Sequence, residues 1–155
     1  VRKGFTLLEV MMVIGIGLIV VLIAVPSVQG FFASRQLEES FERFDRMAVE
    51  ARALSLAERR PHRLEWGKGA ILLRPDNPRD EEDARPRETL AVEGDDEFAI
   101  DFPAALAKPD APLWTFWPSG ACEPAVVTFK GKAGSWTARY DAIAARGRIE
   151  SMEVR

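Results

Sequence analysis

The chain has little of what metal centres and nucleophilic sites are built from. Its 155 residues include one histidine, His62, and one cysteine, Cys122. A zinc set needs several His or Cys ligands, and a lone cysteine has no intrachain disulfide partner. His62 is therefore read as structural and Cys122 as a buried thiol, and no cofactor is expected. Pro118-Ser119-Gly120 lacks the surroundings of a nucleophile elbow and reads as a turn. Charge of one sign is also scarce: 21 Lys and Arg stand against 24 Asp and Glu, a net of −3. That balance removes the electrostatic case for broad binding to nucleic acid or anionic lipid. No internal repeat is visible.

What the chain does have is one long apolar run, residues 5–28, FTLLEVMMVIGIGLIVVLIAVPSV, interrupted by a single acid, Glu9. As a helix it would be roughly 36 Å long, against a bilayer hydrocarbon core of roughly 30 Å. Arg2 and Lys3 precede it, so the start is expected on the cytoplasmic side and the remainder outside. A cleaved secretory signal fits less well, because the run exceeds the usual apolar core and carries an acid. A carboxylate in such a segment is costly and usually has a partner.

Lys3-Gly4-Phe5-Thr6-Leu7-Leu8-Glu9-Val10 resembles the type IV prepilin and pseudopilin signature. The resemblance implies cleavage between Gly4 and Phe5 by a prepilin peptidase that also N-methylates Phe5. Glu9 corresponds to the acid of that family, and Pro26 to a proline that weakens or kinks the same helix. Physically, cleavage creates a positive amine at Phe5, and Glu9 lies about one turn deeper. It can therefore meet the amine of a neighbouring subunit, an attraction that a low dielectric strengthens and that setting two helices in register would use.

Residues 34–59 show a helical stripe of Leu37, Phe41, Phe44, Ala48, Ala51 and Leu54/Ser55, with Glu39–Arg43 and Glu42–Arg46 pairs on other faces. Arg59-Arg60-Pro61 is a plausible stop. Beyond it, short alternating segments predict strands at 62–66, 70–74, 89–92, 97–102, 113–117, 125–130, 136–143 and 148–154. Residues 75–88 read as a charged surface loop and 103–112 as an irregular connector. The expected fold class is α+β: a long N-terminal helix, transmembrane then amphipathic, packed on a mostly antiparallel β-sheet head. The expected divisions are a leader end at 1–4, a transmembrane or filament-core helix at 5–29, its amphipathic continuation at 30–60 and a periplasmic head at 61–155.

The segment Thr115-Phe116-Trp117-Pro118-Ser119-Gly120, followed by Ala125–Phe129, is similar to the turn and strand of the GspH/FimT minor pseudopilin domain. Residues 136–140 with 146–149 resemble its closing hairpin. This resemblance implies a structural minor pseudopilin of type II secretion, not an enzyme, in or near the tip of a periplasmic pseudopilus. Its partners would be the prepilin peptidase, other pseudopilins or pilins, and the inner membrane. The alternative is a minor pilin of a type IV pilus acting in assembly or DNA uptake, with Arg146 and Arg148 as the nucleic-acid contacts. Acids interleave with the basic residues of the C-terminal stretch, which weighs against DNA. The runs Asp80–Asp83 and Asp95–Glu97 lack the spacing of an oxygen cage and read as solvated loops. Of the aromatics, Trp114 or Trp117 is expected to face a neighbouring subunit.

Overall fold

The computed structural model describes residues 6–104 and 112–155, with backbone alone for 22–29. One helix, α1 (Leu7–Glu58), is followed by eight strands: β1 (His62–Gly67), β2 (Ala70–Pro75), β3 (Glu88–Ala91), β4 (Glu97–Asp101), β5 (Leu113–Phe116), β6 (Ala125–Gly131), β7 (Gly134–Tyr140) and β8 (Arg148–Val154). The apolar and amphipathic stretches thus form a single 52-residue helix whose backbone stays helical through Pro26. It stops where expected. Arg59 adopts the left-handed conformation, φ 53°, ψ 35°, and Pro61 cannot extend the helix.

The strands form two antiparallel sheets, ordered β3-β2-β1-β5 and β4-β6-β7-β8. Three pairs of strands adjacent in sequence, β3–β4, β4–β5 and β5–β6, therefore cross between sheets rather than forming hairpins. The β1–β2 hairpin closes through Lys68-Gly69, with Gly69 at φ 76°, the positive φ that a tight two-residue connection demands. At the β6–β7 turn, Gly134 (φ 140°) lies so close to β8 that an added Cβ would fall 2.0 Å from the Glu153 carbonyl oxygen.

Both sheets and the second half of α1 enclose one core. Leu37, Phe44, Met47, Ala48, Ala51 and Ser55 are buried on the helix. The Phe44 ring lies 6.4 Å from Trp114 of the first sheet, and 5.6, 6.2 and 6.0 Å from Phe98, Trp136 and Tyr140 of the second. Polar ties then set the helix against the strands. Trp136 donates its indole N–H to Ser40 Oγ at 2.8 Å, and the Gly147 N–H donates to Asp45 at 2.6 Å. Arg52 Nε–H donates to the Gly120 carbonyl at 2.9 Å. The burial of Ser40, 6 % exposed, is thereby reconciled with its polarity.

Candidate assembly site

The helix begins at Thr6, whose backbone is extended (φ −78°, ψ 149°) and whose hydroxyl accepts the Glu9 N–H at 3.3 Å. Thr6-Leu7-Leu8-Glu9 therefore starts the helix as an N-cap with an acid at the third helical position. Sequence reading of this motif concentrated on the acid and missed Thr6. The signal was present, because Thr-x-x-Glu before an apolar run is a helix-start pattern. Glu9 also lies in the first turn, where the helix dipole favours a negative charge.

From Leu7 to Val21 the large apolar side chains are all exposed, Leu7 at 81 % and Leu18 at 60 %. None of the described head residues covers them. Among the described residues no helix is long and apolar enough to cross a membrane; the apolar run continues into residues 22–29, whose side chains are not described. Gly4 and Phe5 lie outside the described residues, as do the Pro26 side chain and 105–111 of the expected connector.

Above the run, Phe31 and Phe32 project from α1, both 61 % exposed and packed edge to face at 6.2 Å, with the Arg35 guanidinium 5.8 Å over the Phe31 ring. Three further large apolar residues are exposed beyond the N-terminal half: Leu56 on α1 and Trp117 and Ile143 on the head, at 46, 49 and 75 %. Of the two tryptophans expected to supply an outward face, Trp117 does so, while Trp114 is fully buried and donates to the Glu123 carbonyl at 2.8 Å. Sequence reading singled out neither Leu56 nor Ile143, each unremarkable alone.

The remaining candidate residues are engaged structurally. His62 is fully buried at the start of β1, its Nδ1 3.3 Å from the Arg60 carbonyl and its Nε2 3.6 Å from Glu58. Burial lowers its pKa. Asp83, in the acidic 80–83 run, pairs with Arg60 and accepts from Arg87 at 2.8 Å and from the Arg79 N–H at 2.9 Å. The Arg60 guanidinium holds the Asp83 carboxyl far below the usual carboxylate range. Cys122 is buried, and burial pushes its thiol up to about 11, which leaves it protonated and unreactive near neutrality. Arg146 and Arg148 are both exposed, the first on the loop beside α1 and the second at the start of β8. Arg139, opposite Arg148 on β7, is neutralised by Glu150 at 2.5 Å.

A family profile described as the prokaryotic N-terminal methylation motif matches residues 1–25. No curated protein matches the chain, and no solved structure does. The motif implies processing by a prepilin peptidase and assembly with other pilins. Heading a long helix packed on antiparallel sheets, it indicates a type IV pilin-like protein, a pilin or pseudopilin of the type IV pilus or type II secretion kind.

Proposed function

We propose that the chain is a structural minor pseudopilin of type II secretion, of the GspH/FimT kind, acting at or near the tip of the periplasmic pseudopilus. Residues 1–4 end a leader that is removed between Gly4 and Phe5, and Phe5 is then N-methylated. Residues 5–29 hold the subunit in the inner membrane before assembly and lie in the filament core afterwards. Residues 30–60 continue the helix, with Pro26 as its weak point, and 61–155 form the periplasmic head. Glu9 meets the methylated amine of a neighbour and sets the register between subunits.

One observation carries this reading: the second half of a single helix is wrapped by its own head, while its first fifteen residues, Leu7 to Val21, expose their large apolar side chains with one acid near the start. Exposed apolar surface of that extent is stable only when lipid or other subunits cover it. The test is the intact mass and N-terminal sequence of the protein from native membranes, beside a Glu9→Ala variant. The expected result is a methylated Phe5 start in both, with Glu9→Ala made normally and poorly incorporated into filaments. An uncut leader would reduce the protein to an ordinary anchored domain.

A second reading, a minor pilin that contacts DNA, draws on the exposure of Arg146 and Arg148 where the 141–147 loop enters β8. Substituting both by Glu lowers DNA binding and transformation under that reading and leaves secretion untouched. Under the first reading DNA binding does not change.

A further inference from the structure

Val49, Ala53 and Leu56 follow one another on α1 at steps of four and three, a single stripe of the helix, and line a groove of about 290 Å³. Ala144 and Ala145, on the loop between β7 and β8, line it from the head, and Arg52 and Arg146 complete it. The loop is fixed at both ends. The Ala142 carbonyl accepts the Cys122 N–H at 2.8 Å, and the Gly147 N–H donates to Asp45 at 2.6 Å. Arg52 is fixed as well: its Nε–H donates to the Gly120 carbonyl at 2.9 Å, a bond that uses one of the five guanidinium donors. Among the described residues no carboxylate forms an ion pair with Arg52 or Arg146. The acids closest in sequence to the loop act elsewhere, Asp45 on the Gly147 N–H and Asp141 and Glu150 on Arg139. The groove therefore joins apolar walls to two cations that the fold leaves unneutralised.

We infer that this groove receives an apolar side chain flanked by a carboxylate, presented by the head of a different pilin-type subunit, with Arg52 and Arg146 pairing with the carboxylate. The inference rests on the filament-subunit reading, and not on which filament is built. Charge and shape select this occupant over the others. The groove is at the small end of the ~300–1,000 Å³ range of ligand pockets, and its methyl groups and Leu56 give a polar metabolite no hydrogen-bond partner. It lies about 65–70 Å along α1 from Leu7, more than twice the ~30 Å of a bilayer core, so acyl chains around the N-terminal half do not reach it. Nucleic acid is held by cations that follow its phosphates, and methyl walls add nothing to that. In a second copy of this chain, the exposed Phe31–Phe32 pair carries the Arg35 guanidinium 5.8 Å over the Phe31 ring. Docking it would set a third cation beside Arg52 and Arg146. A foreign acidic segment meets the opposite sign, and the same arginines that orient it reject a basic one. Since the inserted segment belongs to another chain, the contact is made once and does not propagate, as a minor subunit near a tip requires.

The test uses the full chain in cells that carry the assembly machinery, with the photo-reactive p-benzoylphenylalanine in place of Ala53. After irradiation, the cross-linked product is purified and the linked peptide is sequenced by mass spectrometry. The expected partner is a second protein whose own N-terminus is cleaved and methylated, joined through a peptide that holds an apolar residue beside Asp or Glu. Arg146→Glu should lower the yield about two- to five-fold, the range of an exposed ion pair, and changing the partner's acid to Arg should restore it. Lys68→Glu, at the exposed β1–β2 turn, should leave the yield unchanged and controls for net charge. A product whose yield ignores Arg146→Glu, or whose linked peptide holds no acid, would overturn the proposal. So would a product made of two copies of this chain, or a link to phospholipid or DNA. A processed, methylated protein that enters filaments without any product at position 53 would also overturn it, leaving the filament reading intact. An unprocessed N-terminus would remove both.

Discussion

Leu18 and Phe44 sit on the same helix, 26 residues apart, in opposite surroundings. Leu18 is 60 % exposed in a row of exposed apolar residues, and Phe44 is fully buried among aromatic rings from both sheets. Helix propensity does not separate them, since Leu is a strong helix former and Phe a weaker one. What separates them is who supplies the contacts. The second half of α1 has its partners within the chain, in strands that begin four residues after the helix ends. Among the described residues the first half finds none there, so its apolar face is information for contacts outside the fold.

The largest test of this contrast compares the two residues directly. Phe44→Ala removes the ring on which both sheets converge and should cost about 3–5 kcal/mol, enough to unfold the head or nearly so. Leu18→Ala should leave the unfolding of the head within about 0.5 kcal/mol of the unsubstituted protein, while weakening membrane retention or filament entry. Chemical unfolding of the full chain in detergent, followed by tryptophan fluorescence, reads both. A head destabilised equally by the two substitutions would mean that the N-terminal half is part of the cooperative unit after all.

A smaller effect separates polar ties from apolar packing within the buried half. Ser40→Ala deletes the acceptor for the Trp136 indole N–H, whose ring is 1 % exposed. A buried donor left without a partner costs about 1–3 kcal/mol, although the lost hydroxyl itself is small. The same substitution at the half-buried Ser34, whose hydroxyl donates to the Gly30 carbonyl at 3.0 Å within the helix, should be within about 0.5 kcal/mol of neutral. Equal effects at 34 and 40 would show that the helix, and not the tie to β7, sets the cost.

These contrasts also explain what was legible beforehand. The stripe Leu37, Phe44, Ala48 and Ala51 was readable because period 3.6 survives in sequence, and β6 was readable because period 2 does. Glu9 stood out because an acid in an apolar run is rare. The ends of β7 were less legible: the strand starts at Gly134 and stops at Tyr140, short of Ile143, because the chain turns there so that Ala142 can accept the Cys122 N–H at 2.8 Å. Ser40 with Trp136 and Asp45 with Gly147 are about a hundred positions apart, and no local pattern announces either pair. Division of the strands into two sheets was hidden for the same reason, since β3–β4 and β5–β6 look like hairpins until their partners are known.

The smallest predicted effect concerns the junction between helix and head. His62 is buried with Nδ1 against the Arg60 carbonyl, and Glu58, Arg60 and Arg87 lie around it. Desolvation lowers its folded pKa below the ordinary value of 6.5, although Glu58 pulls the other way. The unfolded chain therefore binds a proton that the folded chain resists. The stability contributed by a neutral His62 is complete above pH 6.5 and is lost as pH falls through 6.5 toward the folded value, with a slope of no more than about 1.4 kcal/mol per pH unit. Glu88 slopes the opposite way, because burial and Glu50 raise its pKa and favour the folded state at lower pH. A His62→Gln variant isolates the histidine. Urea unfolding at pH 7.5 and 5.5 should show the unsubstituted protein losing more stability on acidification than the variant does. A larger loss in the variant would mean that protonated His62 pairs with Glu58 in the folded state, making the junction tighter in acid.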